Sequence, residues 1–212
     1  MKPCTCNAGI DGVYLCSPCH KYWRGLEQLT SVSHVIYTVF PRSFDGIDPA
    51  VLDYAQIRGI IVDEKFCELL ETDNVTLDPE QIPDMQNPSN GGNLYTEVKE
   101  RIEKLCDWWS KQSYDVAETQ KIVHSDEIAG TLDILTTGGV IIDLKCTSSL
   151  SPQYALQLGA YAAMLNGVVR DVAILHSQKT RVSLKRYDLN QCRADWNTAL
   201  AWYRTMERLN NK

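Results

Sequence analysis

Two apolar runs, IAGTLDIL (128–135) and VIIDLKCT (140–147), flank the tetrapeptide TTGG, and each carries an acid among residues that belong in a core. A turn of that composition between β-branched runs predicts an antiparallel hairpin. Side chains alternate along a strand, so Asp143 and Lys145 share one face while Ile142 and Leu144 take the other. With the turn centred on Gly138, Asp133 stands opposite Asp143, the Cβ atoms roughly 5 Å apart. Two like charges so placed repel, and a shared proton, a cationic side chain or a metal ion must relieve them. Lys145 supplies one positive charge for two negative ones. A hard divalent cation bound by the carboxylates, water and substrate phosphate oxygens would balance the set and bring phosphodiester chemistry. The competing reading is a plain salt-bridge cluster on a half-exposed hairpin.

The surrounding chain reads as alternating helices and strands. Residues 48–72 predict a helix, with Asp48 as N-cap and Pro49 in the first helical position. Asp63 falls in its apolar stripe with Gly59, Ile60, Phe66, Cys67 and Leu70, where an acid is costly unless paired or metal-bound. It is therefore a third candidate ligand, the alternative being a pairing with Arg58 or Lys145. VSHVIYTVFP (32–41) predicts a short strand or extended lead-in, residues 73–93 a surface loop, and Leu94 to Gln112 a second amphipathic helix. DVAETQKIVH (115–124) makes the hairpin a three-stranded meander. Ser151 and Pro152 open a helix running to Asn166–Gly167, then come strands DVAILH and RVSLKRY and a terminal helix through DWNTALAWYRTMERL.

Four of the eight cysteines lie in CTCNAGIDGVYLCSPC, followed by His20. Close pairs about a short Gly-containing loop predict tetrahedral structural Zn²⁺ on Cys4, Cys6, Cys16 and Cys19, with His20 as an alternative ligand. Reduced thiols or a disulfide are the plainer readings. The expected division is a zinc knuckle over residues 1–25 and a main domain over 26–212.

GTLD (130–133), IIDLK (141–145) and QLGAY (157–161), with RGIIVDEKFCELLE upstream, resemble in order and placement the motifs of the RecB-type, phage exonuclease-like branch of the PD-(D/E)XK nuclease superfamily. The resemblance spans roughly residues 30 to 208. It implies a restriction-endonuclease-like αβββαβ core: a central mixed sheet flanked by helices, with the zinc-binding segment as a small N-terminal appendage. It further implies that Asp133 and Asp143 bind Mg²⁺ or Mn²⁺ with the backbone carbonyl of Leu144. Lys145 would orient or deprotonate the attacking water or stabilise charge on the phosphate, and Gln157 and Tyr161 would support the site or contact DNA. Glu118 resembles an upstream acid of this branch, though an exposed strand residue is an equal reading. This chain departs from the family where Asp63 replaces a metal-binding His. An all-oxygen donor set there favours Mg²⁺ or Mn²⁺ over softer metals.

The implied activity is metal-dependent hydrolysis of DNA, single-stranded or end-containing, in phage-type recombination, replication or repair, with a recombination or replication protein as a further partner. The alternative is a non-catalytic nucleic-acid or protein adaptor that keeps the fold. A net charge of −6 and a pI near 5.2 argue against a generally basic nucleic-acid coat but leave room for local basic groups, which the chain gathers beyond residue 168. No apolar run reaches the roughly 18–20 residues of a membrane span, and the N-terminus lacks the order of a secretory signal. A cytoplasmic protein is expected, in the host cytoplasm if phage-encoded.

Overall fold

The computed structural model describes residues 12–16, 19–41, 43–165, 167 and 169–210. In chain order these form β1 (Val13–Cys16), β2 (Lys21–Arg24), β3 (Glu27–Ser31), α1 (Val32–Val39), α2 (Pro49–Thr72), a 3₁₀ turn (Pro79–Gln81) and α3 (Leu94–Trp109). The meander β4 (Val116–His124), β5 (Ile128–Thr136) and β6 (Val140–Lys145) follows, then α4 (Gln153–Met164), β7 (Asp171–Ser177), β8 (Val182–Tyr187) and α5 (Leu189–Asn210). The run from α3 to β7 is the expected αβββαβ order.

The strands make one mixed sheet, β1-β2-β3-β5-β6-β7-β8, with β4 added on β5. β3–β5 and β6–β7 are parallel and the other pairs antiparallel. One edge of β5 is taken along its length by β4. The other is shared: β3 pairs at Ile128 and Ala129, and β6 at Ile134 and Leu135. Between these contacts the sheet forks, and Gly130 to Asp133 face the gap.

Helices cover both faces. Val32, Val35 and Ile36 of α1 pack with α4 and α5 on one side, and Tyr54, Val62 and Phe66 of α2 with α3 on the other, so β5 and β6 feed both cores. Two glycines set the closeness of this packing. A Cβ on Gly159 would lie 2.0 Å from the carbonyl oxygen of Cys192 in α5, and one on Gly130 would lie 2.7 Å from Cε1 of Tyr161. None of the described helices is long and apolar enough to cross a membrane.

The caps of α2 follow the expected pattern: Asp48 accepts from the Ala50 amide at 2.9 Å and Pro49 begins the helix. VSHVIYTVFP, expected as a strand, is instead α1. Ser31 caps it by accepting from the His34 amide at 3.0 Å, and its buried residues sit at positions i, i+3 and i+4. Burial of that stripe outweighs the β-propensity of its branched residues. Helix α5 begins earlier than expected because the Asp188 carboxylate accepts the Gln191 amide at 2.7 Å.

The β1–β2 hairpin joins the main sheet through β3. Cys4 and Cys6 lie outside the described residues. Cys16 is buried against Tyr14 and Trp23, and Cys19 accepts a hydrogen bond from Trp23 Nε1 at 3.5 Å. His20 turns the chain with φ of 50°, its amide donating to the Cys16 carbonyl at 2.7 Å.

Candidate active site

The fork in the sheet brings the hairpin acids together. Extending the Ile134–Ile142 register places Asp133 across from Asp143, as the turn predicts. Backbone pairing stops short of that position. The Leu144 amide donates to Asp133 Oδ2 at 2.7 Å instead, so the carboxylate substitutes for a strand carbonyl and fixes the splay of the two strands.

Asp143 is fully buried. Lys145 Nζ lies 2.5 Å from its Oδ2 and 5.3 Å from the centre of the Tyr154 ring. The ion pair is not aligned as a hydrogen bond, and neither oxygen of Asp143 has a hydrogen-bond partner. Asp63 projects from α2, accepting from Gln120 Nε2 at 3.1 Å and from the Cys67 thiol at 3.9 Å. Neither pairing open to it from the sequence is formed, because Arg58 is bound to Glu97 at 2.9 Å and Lys145 to Asp143.

All three carboxyls are pushed above the ordinary carboxylate range. Burial is the largest cause for each; Asp133 is raised further by Asp63 and Asp143, and Asp63 by Asp143, while Lys145 opposes the rise. Burial alone would lower the Lys145 ammonium, but the neighbouring Asp143 and Asp133 outweigh it and hold the group above its usual value. Burial likewise raises the Cys146 thiol to about 11 against the pull of Arg101 and Arg58, so it is a poor nucleophile.

Asp63 reaches about 6. Between pH 4 and 6 the folded chain therefore binds more protons than the unfolded one, and the metal-free protein loses stability as pH rises through that window. The expected loss from this group is on the order of 2 kcal/mol. Melting curves at pH 4.5 and 7 should show a smaller drop in Asp63→Asn than in wild type, and equal drops would refute the shift.

The residues present fit a hard cation. They offer oxygen donors, one of them Asp143 Oδ1, a buried carboxylate oxygen with no hydrogen-bond partner, and an excess of negative charge. Among the described residues no three His, Cys, Asp or Glu side chains already converge on one point. Asp63, Asp133 and Asp143 each contact a separate protein group: the Gln120 amide, the Leu144 N–H and the Lys145 ammonium.

A cleft of about 390 Å³ opens on this cluster. Asp63, Asp133, Leu144 and Lys145 line it together with Ser33 and Tyr37 of α1, Gln56, Gly59 and Ile60 of α2, and Tyr154 and Gln157 of α4. Gln157 donates to the Tyr161 hydroxyl at 2.8 Å, as the i, i+4 spacing predicts, and Tyr161 is buried. Ile60, expected on the inward stripe, is 48% exposed and lines the cleft. The helix is wide enough for that stripe to divide between the core and the cleft. Glu118 is exposed, paired with Lys121 and absent from the cleft lining. The α1 wall and Gln120 were not singled out from the sequence: the first lay in a segment read as a strand, and the second is one polar residue among several on β4.

No protein-family model and no curated protein matches the sequence. Among solved structures, a Eubacterium rectale protein provisionally named an exonuclease is similar at a TM-score of 0.55 and 18% identity, over 85% of this chain and 79% of that one. An alkaline exonuclease from Laribacter hongkongensis gives a TM-score of 0.43 and 10% identity, over 86% and 92% of the two chains. The first likeness establishes the shared fold, a mixed sheet flanked by helices; the second is too remote to add to it.

Proposed function

We propose that the chain is a metal-dependent deoxyribonuclease that hydrolyses DNA phosphodiester bonds. The observation carrying this reading is the Asp133–Asp143–Lys145 cluster at the fork of the sheet, where Asp143 lies fully buried beneath Asp133 and Lys145, which line a cleft of about 390 Å³. Asp133, Asp143, Asp63 and the Leu144 carbonyl would hold Mg²⁺ or Mn²⁺, which when bound polarises the scissile phosphate and acidifies water. Lys145, kept protonated by the two acids, serves as a cation rather than a base: its ammonium orients the attacking water and neutralises charge developing on the phosphate. Gln157 presents its amide to the cleft while its bond to buried Tyr161 fixes its direction. Exposed rim residues exclude little water, which suits a polymeric substrate that covers the cleft itself.

The E. rectale fold neighbour's provisional name favours exonuclease action, and single-stranded or end-containing DNA in phage-type recombination, replication or repair is the corresponding substrate and setting. A recombination or replication protein would deliver it. At the N-terminus, Cys4, Cys6, Cys16 and Cys19 are proposed to hold structural Zn²⁺. Cys16 at the end of β1 and Cys19 in the turn before β2 stand close together in the chain, which supports that assignment.

The test incubates labelled single- and double-stranded DNA with Mg²⁺ or Mn²⁺. Cleavage should require the metal and fall by at least about 10²–10³-fold in Asp143→Ala and in Lys145→Ala. Wild-type protein that binds DNA yet leaves it intact with every metal and pH tried would make the adaptor the correct reading.

A further inference from the structure

Three described residues other than glycine have positive φ: His20, Asp73 and Gln120. His20 lies in the turn between β1 and β2, and Asp73 is the left-handed cap that ends α2. Gln120 is different, since it sits inside strand β4 with φ of 45°. The usual cause of such a conformation in a strand is a bulge, in which an inserted residue shifts the register. Here Thr119 pairs with Ile134 and Lys121 with Leu132, so the register is the same on both sides. Nothing has been inserted; the pair missing between them is the one that would join Gln120 to Asp133.

What the conformation achieves is a contact. Gln120 Nε2 reaches Asp63 Oδ2 at 3.1 Å and Cys67 Sγ at 3.3 Å, two groups one turn apart on α2. An unbranched amide is a poor choice for left-handed backbone, and strain of this kind persists where the surroundings hold it and collects at functional sites. We propose that Gln120 is a positioning residue that holds the Asp63 carboxylate toward Asp133 and Asp143 for a divalent cation. This rests on the carboxylate site described above. The amide takes one lone pair of Oδ2, leaving the remaining lone pairs of the carboxylate free to coordinate. It also limits the rotation of a side chain that otherwise lies at the cleft wall. A carboxylate oriented beforehand binds an ion with less loss of side-chain freedom, as other outer partners of metal ligands do.

Two substitutions separate this role from plain structural support. Gln120→Gly accepts the left-handed backbone and has no amide; Gln120→Asn tolerates that backbone, but its amide is one methylene short of Asp63. Mn²⁺ alone is titrated calorimetrically into each purified protein, and melting temperatures are recorded without metal. Both variants should bind Mn²⁺ about 10- to 100-fold more weakly than wild type while melting no lower. In an Asp63→Asn background, Gln120→Gly should cause no further loss of affinity. Wild-type affinity in both variants overturns this assignment alone, as does a metal-free melting temperature lowered by several degrees in Gln120→Gly. A wild-type protein that binds no Mn²⁺ overturns the carboxylate site and this assignment with it.

Discussion

Asp133→Asn is expected to yield a protein that melts higher than wild type without metal, yet no longer binds Mn²⁺ or cuts DNA. Asp133 is buried and raised well above the ordinary carboxylate range by desolvation, then by Asp63 and Asp143. The unfolded chain ionises this group freely at neutral pH while the folded chain resists doing so, and folding bears the difference. An amide oxygen can still accept the Leu144 N–H now bound at 2.7 Å, so the strand splay should survive. The Lys145–Asp143 pair also remains. Replacing a poorly compensated buried charge with a neutral isostere should stabilise the fold by on the order of 2 kcal/mol, roughly 4–8 °C for a chain of this size. Cleavage should fall by about 10³-fold or more with loss of a metal ligand. Thermal melting, calorimetry with Mn²⁺ and DNA cleavage read the three effects together. A metal-free melting temperature below that of wild type would show that the acid stabilises the fold, against the reading that it is held there at a cost for function.

The largest loss of stability is expected from Gly159→Ala. The added methyl would meet the Cys192 carbonyl oxygen at 2.0 Å and Trp196 Cβ at 3.1 Å, and the first of these is backbone that cannot swing aside. α4 and α5 must separate, opening the core around Trp196 and moving the helix that carries Gln157 and Tyr161. A cost of 3 kcal/mol or more is expected, about the upper range for overpacking. Gly59→Ala is the counterpart. A Cβ at Gly59 meets nothing within 4 Å, and the residue sits within α2. Alanine there should add about 0.5–1 kcal/mol through helix propensity. Opposite shifts in melting temperature for the same chemical change would confirm that contact, rather than glycine as such, decides the outcome. A Gly159→Ala protein that melts like wild type would mean that the two helices are less closely docked than the geometry requires.

These contrasts mark what the sequence could reveal. The hairpin acids were legible because strand alternation is local, and the start of α2 because Asp48–Pro49 is a local signal. Gln157 and Tyr161 were legible only through the resemblance of QLGAY to a family motif; their spacing of four showed no more than a shared helix face. Segment 32–41 was not, since a short run with five β-branched residues satisfies strand and helix patterns alike until burial decides between them. The partners of Asp63 were hidden because they depend on how α2 crosses β4. Gln120 carries no local signature at all: its side-chain partners, Asp63 and Cys67, lie 57 and 53 positions earlier in the chain. The fork in the sheet escaped notice because β3 and β6 reach the same edge of β5 from distant parts of the chain.

That fork also orders the assembly of the molecule. Asp133 and Asp143 belong to neighbouring strands closed by a turn of four residues, whereas the β3–β5 contact closes a loop of nearly half the chain, from Thr30 to Ile128. By loop-closure entropy the long connection costs about 2 kcal/mol more than the short one. The meander can therefore form as a nucleus, with the pair of acids registered early, and the cysteine-bearing hairpin docks onto an edge already made. Tyr22 of that hairpin then closes on β5, its hydroxyl 2.8 Å from that of Thr131, so the last strands to join seat on the same strand that carries Asp133.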